Sequence, residues 1–263
     1  HDSCFPQSGL LPILDKSHLG FILKEDTLAG HLEITEALHH SFSGTWEQIW
    51  GEDRIVENNY HEMTIRVQKT SAPKRKFNVV FRLFNDGFGF RYEFPEQEAL
   101  KDFVIMDELT EFALTGDHKA WSIPYEAHFY EALYEASPVS KLGWVSTPLT
   151  METNDGLFLS IHEANLTDYA AMNLIPKEGS MTLKANLTPW STGEKVFMKA
   201  PGVTPWRTMI VAESAGDLLL SRLMLNLNEP CRIQDTSWIQ PGRYIGIWWT
   251  YHMHKHTWHT GPR

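Results

Sequence analysis

The stretch LNLNEPCRIQDTSWIQPGRYIGIWW, residues 225–249, joins two different kinds of sequence. The chain before it reads as short antiparallel strands with polar and apolar residues in alternation. Its last six residues, 244–249, form a continuous apolar run, which is typical of parallel strands covered on both faces, as in an α/β barrel. Because a parallel strand needs a crossover and a neighbour, we expect residues 1–240 to form a complete domain and residues 241–263 to begin a truncated (β/α)8 barrel.

Composition limits the class of protein. The 263 residues are 42% hydrophobic, which supports an ordinary packed core, and the net charge is −10, from 33 acidic and 23 basic residues. An acidic balance argues against a nucleic-acid partner, whose phosphates favour a basic face. No apolar run approaches the roughly 18 residues of a membrane helix, so no membrane span is expected. Of the two cysteines, Cys4 and Cys231, we expect two buried thiols rather than one disulfide.

Alternation and turn signals predict an all-β fold. Residues 85–87 (NDG) and 154–156 (NDG) are strong hairpin signals because Asn and Gly accept positive φ at low cost. Predicted strands lie at 60–68, 77–84, 88–94, 148–152, 157–163, 181–187, 196–200 and 206–212. Strands at such short intervals indicate a sandwich, here a large antiparallel β-super-sandwich.

Three segments are less regular. We interpret residues 124–138 as a long excursion with one strand, residues 214–217 as a short helix or tight turn, and residues 218–227 as a run along a sheet edge.

Glu163 is the residue that the alternation singles out. Period two places Leu157, Leu159, Ile161 and Glu163 on one face of a strand, and the apolar members make that face the core. A carboxylate there is costly unless it is paired or bound to a cation. A hard cation such as Ca²⁺ takes oxygen ligands, but one Glu cannot form a site alone. From spacing alone, the favoured interpretation is a Glu turned to solvent or to backbone N–H groups at the strand end.

Other candidate groups carry weaker signals. Arg82 and Arg91 lie across the first hairpin, where they could bind an anion or, as we prefer, face solvent as a cross-strand pair. The end of the apolar run and the sequence after it are rich in His and Trp. The His side chains could bind a metal or belong to a mobile tail, and the Trp side chains could stack on a sugar or fill the barrel core. These residues are His252, His254, His256, His259, Trp248, Trp249 and Trp258.

Four sequence blocks resemble glycoside hydrolase family 97. They are FRLFNDGFGFRYEFP (81–95), TNDGLFLSIHEANLTDYAAMNL (153–174), TPWRTMIV (204–211) and the opening stretch (225–249). The resemblance extends from about residue 19 to residue 249. It implies an N-terminal β-super-sandwich, a catalytic (β/α)8 barrel and a small C-terminal β-domain, of which this chain holds the first part and the opening barrel strand.

The resemblance also implies an activity. Members of the family are periplasmic α-glucosidases and α-galactosidases that act on α-linked oligosaccharides, by inversion or by retention. The glutamate of their I-H-E-A motif binds Ca²⁺ at the barrel's active site, and residues 161–164 match that motif, so Glu163 is implied as a calcium ligand. The catalytic carboxylates are expected in the missing barrel, and the fragment alone is expected to be inactive. The alternative is a non-catalytic carbohydrate-binding β-sandwich module.

Overall fold

The computed structural model of the chain describes residues 11–127 and 130–243. Cys4, the predicted barrel strand at 244–249 and the His- and Trp-rich sequence after it lie outside the described residues. The chain divides into two compact units, one of residues 1–44 and 57–229 and the other of residues 45–56 and 230–263. No helix among the described residues is long and apolar enough to cross a membrane.

The described chain is built mainly of strands. The 18 strands are β1 (Phe21–Leu23), β2 (Thr27–Leu28), β3 (Leu32–Glu47), β4 (Ile55–Lys69), β5 (Lys76–Phe84), β6 (Gly87–Phe94), β7 (Asp102–Glu108), β8 (Glu111–Ala113), β9 (Lys119–Ser122), β10 (Glu135–Pro138), β11 (Val145–Ser146), β12 (Leu149–Glu152), β13 (Phe158–Ala164), β14 (Met172–Pro176), β15 (Thr182–Leu187), β16 (Val196–Lys199), β17 (Gly202–Val203) and β18 (Trp206–Ala212). A 3₁₀ turn spans Val139–Lys141, and the helices are α1 (Ala215–Leu220) and α2 (Leu223–Leu227).

The strands form three sheets. A ten-stranded sheet has the order β10-β9-β12-β13-β18-β6-β5-β4-β3, with β17 beside β6. Two four-stranded sheets have the orders β16-β7-β1-β2 and β11-β14-β15-β8. One continuous core draws side chains from all three sheets, for example Phe21 from β1, Leu159 from β13 and Leu174 from β14, each fully buried. These antiparallel sheets around a shared core confirm the all-β sandwich.

The predicted hairpin at residues 85–87 joins β5 to β6. Gly87 has a φ of 143°, and a Cβ at this position would lie 2.2 Å from the carbonyl oxygen of Met209 on β18. Glycine is required here both for the backbone conformation and for the close approach of the neighbouring strand. Gly87 is therefore needed for the contact with β18 as well as for the turn between β5 and β6.

Three sequence-based predictions are settled by the described residues. The run along a sheet edge at 218–227 is wrong, because those residues lie mostly in α1 and α2, whose Leu223 and Leu227 are buried. The short helix after Ser214 is confirmed, since the Ser214 side chain caps α1 by accepting from the Asp217 N–H. Cys231 is exposed rather than buried.

The second unit contains few regular elements. Within residues 45–56, the Gln48 N–H donates to the Arg54 carbonyl over 2.8 Å, and the Arg54 guanidinium pairs with Glu47 at 2.8 Å. Its described C-terminal part, residues 230–243, holds local turns, among them a bond from the Ile239 N–H to the Thr236 carbonyl.

Candidate functional site: a buried carboxylate–arginine cluster

Glu163 lies near the end of β13 and faces the core, on the side that the alternation predicts. Leu159 and Ile161, on the same face, are fully buried, and Glu163 itself is 7% exposed. It is therefore neither turned to solvent nor free of charged partners, and a buried carboxylate needs partners to offset the loss of hydration.

Both oxygens of Glu163 accept hydrogen bonds. Oε1 accepts from the backbone N–H of Met172 at 2.9 Å, and Oε2 accepts from Nη1 of Arg207 at 2.6 Å. Arg207 stands directly opposite Glu163 in the β13–β18 ladder. The register of these two strands thus brings a carboxylate and a guanidinium together on one face of the sheet.

Arg207 has a second, stronger partner in Glu108 at the end of β7. Its Nε donates to Oε1 of Glu108 at 2.8 Å, and its Nη2 donates to Oε2 at 2.6 Å. Both side chains are 0% exposed. Two parallel bonds to one carboxylate are the arrangement in which a guanidinium compensates buried charge best.

Hydroxyl groups complete the cluster around Glu108. Thr110 Oγ1 donates to Oε1 of Glu108 at 2.8 Å, and the Tyr169 hydroxyl donates to Oε2 at 3.0 Å. The Tyr92 hydroxyl lies 2.7 Å from Thr110 Oγ1. The Arg207 guanidinium also lies 5.6 Å from the centre of the Tyr169 ring. The cluster is thus a connected polar network inside an apolar core, which fixes the positions of its members.

The two carboxylates differ in protonation energetics. Burial tends to raise the pKa of each, but for Glu108 the Arg207 charge and hydrogen bonds outweigh burial and lower its pKa. For Glu163, burial outweighs Arg207 and the pKa is raised, with a further rise from the Glu108 charge. The Arg207 pKa is raised, because the Glu108 and Glu163 charges outweigh its burial. Glu108 is therefore the principal counter-ion of Arg207, and Glu163 is the less committed carboxylate.

Glu163 is the candidate metal ligand among the described residues, and it does not belong to a group of side chains that could hold a metal ion. Among residues 11–127 and 130–243, no three side chains of His, Cys, Asp or Glu are grouped so as to hold a metal. Glu163 retains lone pairs beyond its two hydrogen bonds, so it fits a hard cation as a single ligand. The positive charge of Arg207 opposes a cation nearby, so several further oxygen ligands would be needed.

Arg82 and Arg91, the other candidate pair, neither face solvent nor line an open anion site. Their guanidinium carbons lie 4.8 Å and 4.6 Å from the centre of the Trp206 ring. Arg82 is also bonded to Glu62 at 2.8 Å, and Arg91 to Glu93 at 2.7 Å. Both arginines pack on a tryptophan that is 1% exposed.

Glu108 and Arg207 were not predicted from sequence, although Arg207 carries a signal. Period two along β18 places Arg207 with Met209, a fully buried residue, so the pattern itself marks a core-facing arginine. Glu108 carries no such signal. Leu23 pairs with Ile105 and Ile22 with Asp107, so Met106 is an extra residue that shifts the alternation and turns Glu108 inward.

Comparison with known proteins identifies relatives of this chain. The family model described as "Glycosyl-hydrolase 97 N-terminal" matches residues 9–230. A retaining α-galactosidase from Bacteroides thetaiotaomicron is 27% identical over 227 residues, which are 74% of this chain and 33% of that protein. A probable retaining α-galactosidase from Streptomyces bingchenggensis is 26% identical over 239 residues, 90% of this chain and 36% of that protein. The chain thus spans about a third of the length of these relatives.

A solved structure shows the same fold at higher identity. A variant of a glycoside hydrolase family 97 enzyme from Pseudoalteromonas sp. strain K8 is 40% identical, with a TM-score of 0.89 over 95% of this chain and 38% of that one. The enzyme has also been solved with panose and with acarbose. The described strands therefore correspond to one part of that enzyme.

Proposed function

The chain belongs to glycoside hydrolase family 97, as its N-terminal domain, and from that premise we propose that the whole protein is an α-glycosidase that removes terminal α-linked glucose or galactose from oligosaccharides. The observation that carries this proposal is the family match over residues 9–230. The curated relatives named above are α-galactosidases, whereas the 40% identical enzyme is seen with panose and acarbose. These relatives support α-linked sugars as the substrate class. Glucose and galactose remain the two alternatives that the assay below compares.

The chemistry of such an enzyme needs two carboxyl groups. One carboxylic acid protonates the glycosidic oxygen, and a second carboxylate either activates water, with inversion, or attacks the anomeric carbon, with retention. Glu108 and Glu163 do not serve as this pair, because both are buried and bonded to Arg207. We therefore assign the catalytic carboxylates to the barrel and expect the 263-residue chain alone to show no turnover.

Glu163 is proposed as one ligand of a calcium ion at the boundary of sandwich and barrel. The match of residues 161–164 to the family's I-H-E-A motif supports this role, as does the weaker commitment of Glu163 to Arg207. A bound calcium ion stabilises negative charge and orients groups around it. The carboxylate of Glu163 is already oriented for this role, because its bonds to the Met172 N–H and to Arg207 fix its position.

The sandwich is also proposed to brace the barrel. Strand β3 is the last strand of the large sheet and exposes three apolar side chains on one face, Ile34 at 68%, Leu38 at 40% and Phe42 at 43%, with Glu36 and His40 between them. Exposed apolar surface of this kind is typical of a face that another domain covers. The periplasm is the proposed location, which rests on the family resemblance alone.

The first experiment is an assay of the full-length parent on aryl α-glucoside and aryl α-galactoside, with Ca²⁺ and with a chelator, while NMR follows the released anomer. We expect turnover of one of the two sugars and its loss with chelator. No turnover of either by a folded, Ca²⁺-loaded protein would refute the two proposed specificities. The anomer distinguishes retention from inversion.

Two matched variants test the role of Glu163. Glu163→Gln is expected to raise the Ca²⁺ concentration needed for half-maximal activity by at least about tenfold, the typical effect of losing a metal-site partner. Glu108→Gln makes the same chemical change on the other carboxylate of Arg207. Because Glu163 stays in place, it should raise that concentration less than Glu163→Gln does. An equal shift in both variants would indicate that Glu163 acts only through the fold.

A further inference from the structure

A stacked pair of aromatic rings lies on the surface of the sandwich at the β11 edge of a four-stranded sheet. The rings of Tyr125 and Trp144 are 4.7 Å apart at an interplanar angle of 24°. The backbone holds them together, since the Tyr125 N–H donates to the Trp144 carbonyl at 2.9 Å and the Ser146 N–H donates to the Ile123 carbonyl at 3.1 Å. Trp144 remains 44% exposed. A large ring is thus fixed in place while much of its surface meets solvent.

Polar side chains adjoin this pair. The Trp144 Nε1–H donates to Oδ1 of Asn173, and the same oxygen accepts from Nδ2 of Asn186 at 3.0 Å. Lys195 Nζ donates to Oδ1 of Asn186 at 2.9 Å and to Oδ1 of Asp107 at 2.7 Å. Asn173 and Asn186 are cross-strand partners in β14 and β15. The amides and the ammonium group are therefore held in fixed orientations beside the aromatic surface.

One amide in this row lacks a partner. Asn173 is 1% exposed, and its Nδ2 has no hydrogen-bond partner in the described structure. Exchanging the amide oxygen and nitrogen would not help, because the nitrogen would then face two donors, from Trp144 and Asn186. A buried donor without an acceptor costs about 1–3 kcal/mol. The position calls for an acceptor that the described chain does not supply.

We propose that Trp144, supported by Tyr125 and flanked by Asn173, Asn186 and Lys195, is a surface site for α-linked oligosaccharide. A pyranose ring has an apolar face of C–H groups and a rim of hydroxyls. The apolar face suits the Trp144 ring, and hydroxyl oxygens suit the remaining N–H groups of Asn186 and Lys195. The ammonium groups of Lys184 and Lys195 are both bonded to Asp107, so neither lysine lacks a counter-ion.

The choice of an α-linked oligosaccharide rests on the proposed function, because a site on an enzyme's accessory domain is most useful for the polymer that the enzyme degrades. Such a site would hold one part of a long substrate while another part reaches the barrel, which raises the effective concentration of chain ends there. A short aryl glycoside cannot reach both places. Its hydrolysis therefore reports on the barrel alone.

The test uses the full-length protein and two probes, maltoheptaose and an α-1,6-galacto-oligosaccharide, with binding followed by calorimetry and by ¹⁹F NMR of 5-fluorotryptophan-labelled protein. The Trp144 resonance is identified as the one that is missing from the spectrum of Trp144→Phe. We expect one of the two sugars to shift this resonance. Trp144→Ala should weaken binding at this site by about tenfold or more, because it removes the aromatic surface on which the sugar would stack. Its kcat/KM on the aryl glycoside should stay within about twofold of the parent value.

Trp190→Ala is the matched control, since Trp190 is 63% exposed and lies two residues after Thr188, to whose side chain the Tyr125 hydroxyl bonds. It should leave both sugar binding and the Trp144 resonance unchanged. A Trp144 resonance that neither sugar moves, or equal losses of binding in Trp144→Ala and Trp190→Ala, would overturn the proposal. Aryl-glycoside turnover with an unmoved resonance would reject this site and retain the proposed function. A shifted Trp144 resonance without aryl-glycoside turnover would support this site and reject the proposed function.

Discussion

Trp206 and Arg207 are neighbours on β18, and they show two uses of arginine on opposite faces of one sheet. On the inner face, the Arg207 guanidinium is completely buried and bonded to two carboxylates. On the outer face, Trp206 lies between Arg82 and Arg91, whose side chains keep 22% and 15% of their surface exposed. The inner arginine neutralises charge, whereas the outer arginines cover an aromatic ring.

The two faces differ in whether water can hydrate a carboxylate that has lost its arginine partner. If an outer arginine is lost, water can reach its partner carboxylate, Glu62 or Glu93, which is partly exposed. If Arg207 is lost, Glu108 and Glu163 remain in the core without a counter-charge. A removed partner is costly mainly because of the group left behind. The same residue type should therefore give very different free energies of unfolding on the two faces.

The largest effect is expected for Arg207→Met. The substitution leaves two buried carboxylates unpaired, so the free energy of unfolding should fall by about 3–5 kcal/mol, measured by urea denaturation. Adding Glu108→Gln to Arg207→Met should recover part of the loss, because one stranded charge is removed. If the double variant were as unstable as the sum of the two single variants, the coupling across the inner face would be absent.

A smaller difference should separate the two carboxylates. Glu108→Gln removes the charge that pairs with Arg207 through two bonds and should destabilise by about 2–3 kcal/mol, as for a charged hydrogen-bonded group. Glu163→Gln keeps one of its bonds and leaves Glu108 to neutralise Arg207, so about 1 kcal/mol is expected. Urea denaturation of both variants at neutral pH tests this order, and a greater loss in Glu163→Gln would contradict the assignment of Glu108 as principal counter-ion.

On the outer face, Arg91→Met should cost only about 1 kcal/mol or less. Its guanidinium contributes a cation–π contact with Trp206 and a bond to the partly exposed Glu93. The methionine retains contact with the ring. Thermal unfolding of Arg91→Met beside Arg207→Met gives the comparison directly, and similar losses in the two variants would break it.

His118 extends the comparison to a buried group that has neither kind of partner. The side chain is 4% exposed, and neither ring nitrogen has a hydrogen-bond partner in the described structure. Burial lowers its pKa, against opposing effects of Asp155 and Asp117. The His118 side chain therefore takes up a proton more readily in the unfolded chain than in the folded one. Its effect on the free energy of unfolding is absent above a pH of about 6.5, and below that pH it lowers the free energy of unfolding.

His118→Leu should remove this contribution. The slope of unfolding free energy against pH should flatten below pH of about 6.5, by at most the roughly 1.4 kcal/mol per pH unit that one proton allows. Denaturation of the parent and variant from about pH 5 to about pH 8 provides the measurement. Parallel curves over that range would show that His118 does not titrate between the folded and unfolded states.

Sequence predicted best where a local signal and the tertiary environment agree. The hairpin at Gly87 was predicted, because a turn residue is a local signal. The two-residue period placed Glu163 on the core face, but the favoured interpretation turned it to solvent or to backbone N–H groups, and only the bond to a backbone N–H is observed. The family resemblance named the domain from four blocks of sequence. Strand β3, in contrast, was not predicted as a whole, because nearly all its residues are exposed and no buried row marks its period.

The partners of Glu163 show the limit of local patterns. Arg207 is 44 residues away and Glu108 is 55 residues away along the chain. The β13–β18 register brings Arg207 to Glu163, and the packing of another sheet against theirs brings Glu108. The inward turn of Glu108 depends on the extra residue Met106, which nothing in the local sequence marks. A core-facing Arg207 was readable from its period with Met209. The cluster as a whole depends on the pairing of β13 with β18 and on the packing of β7, from another sheet, against them.

The position of β18 between β6 and β13 has a consequence for an incomplete chain. Both neighbouring strands precede β18 in sequence, and Glu108 precedes Arg207 by 99 residues. A chain that ends before Arg207 therefore has Glu108 and Glu163 without their counter-ion, and β6 and β13 without the strand that joins them. Burying two unpaired carboxylates is costly, so we expect such a truncated chain to resist compaction and to bind chaperones.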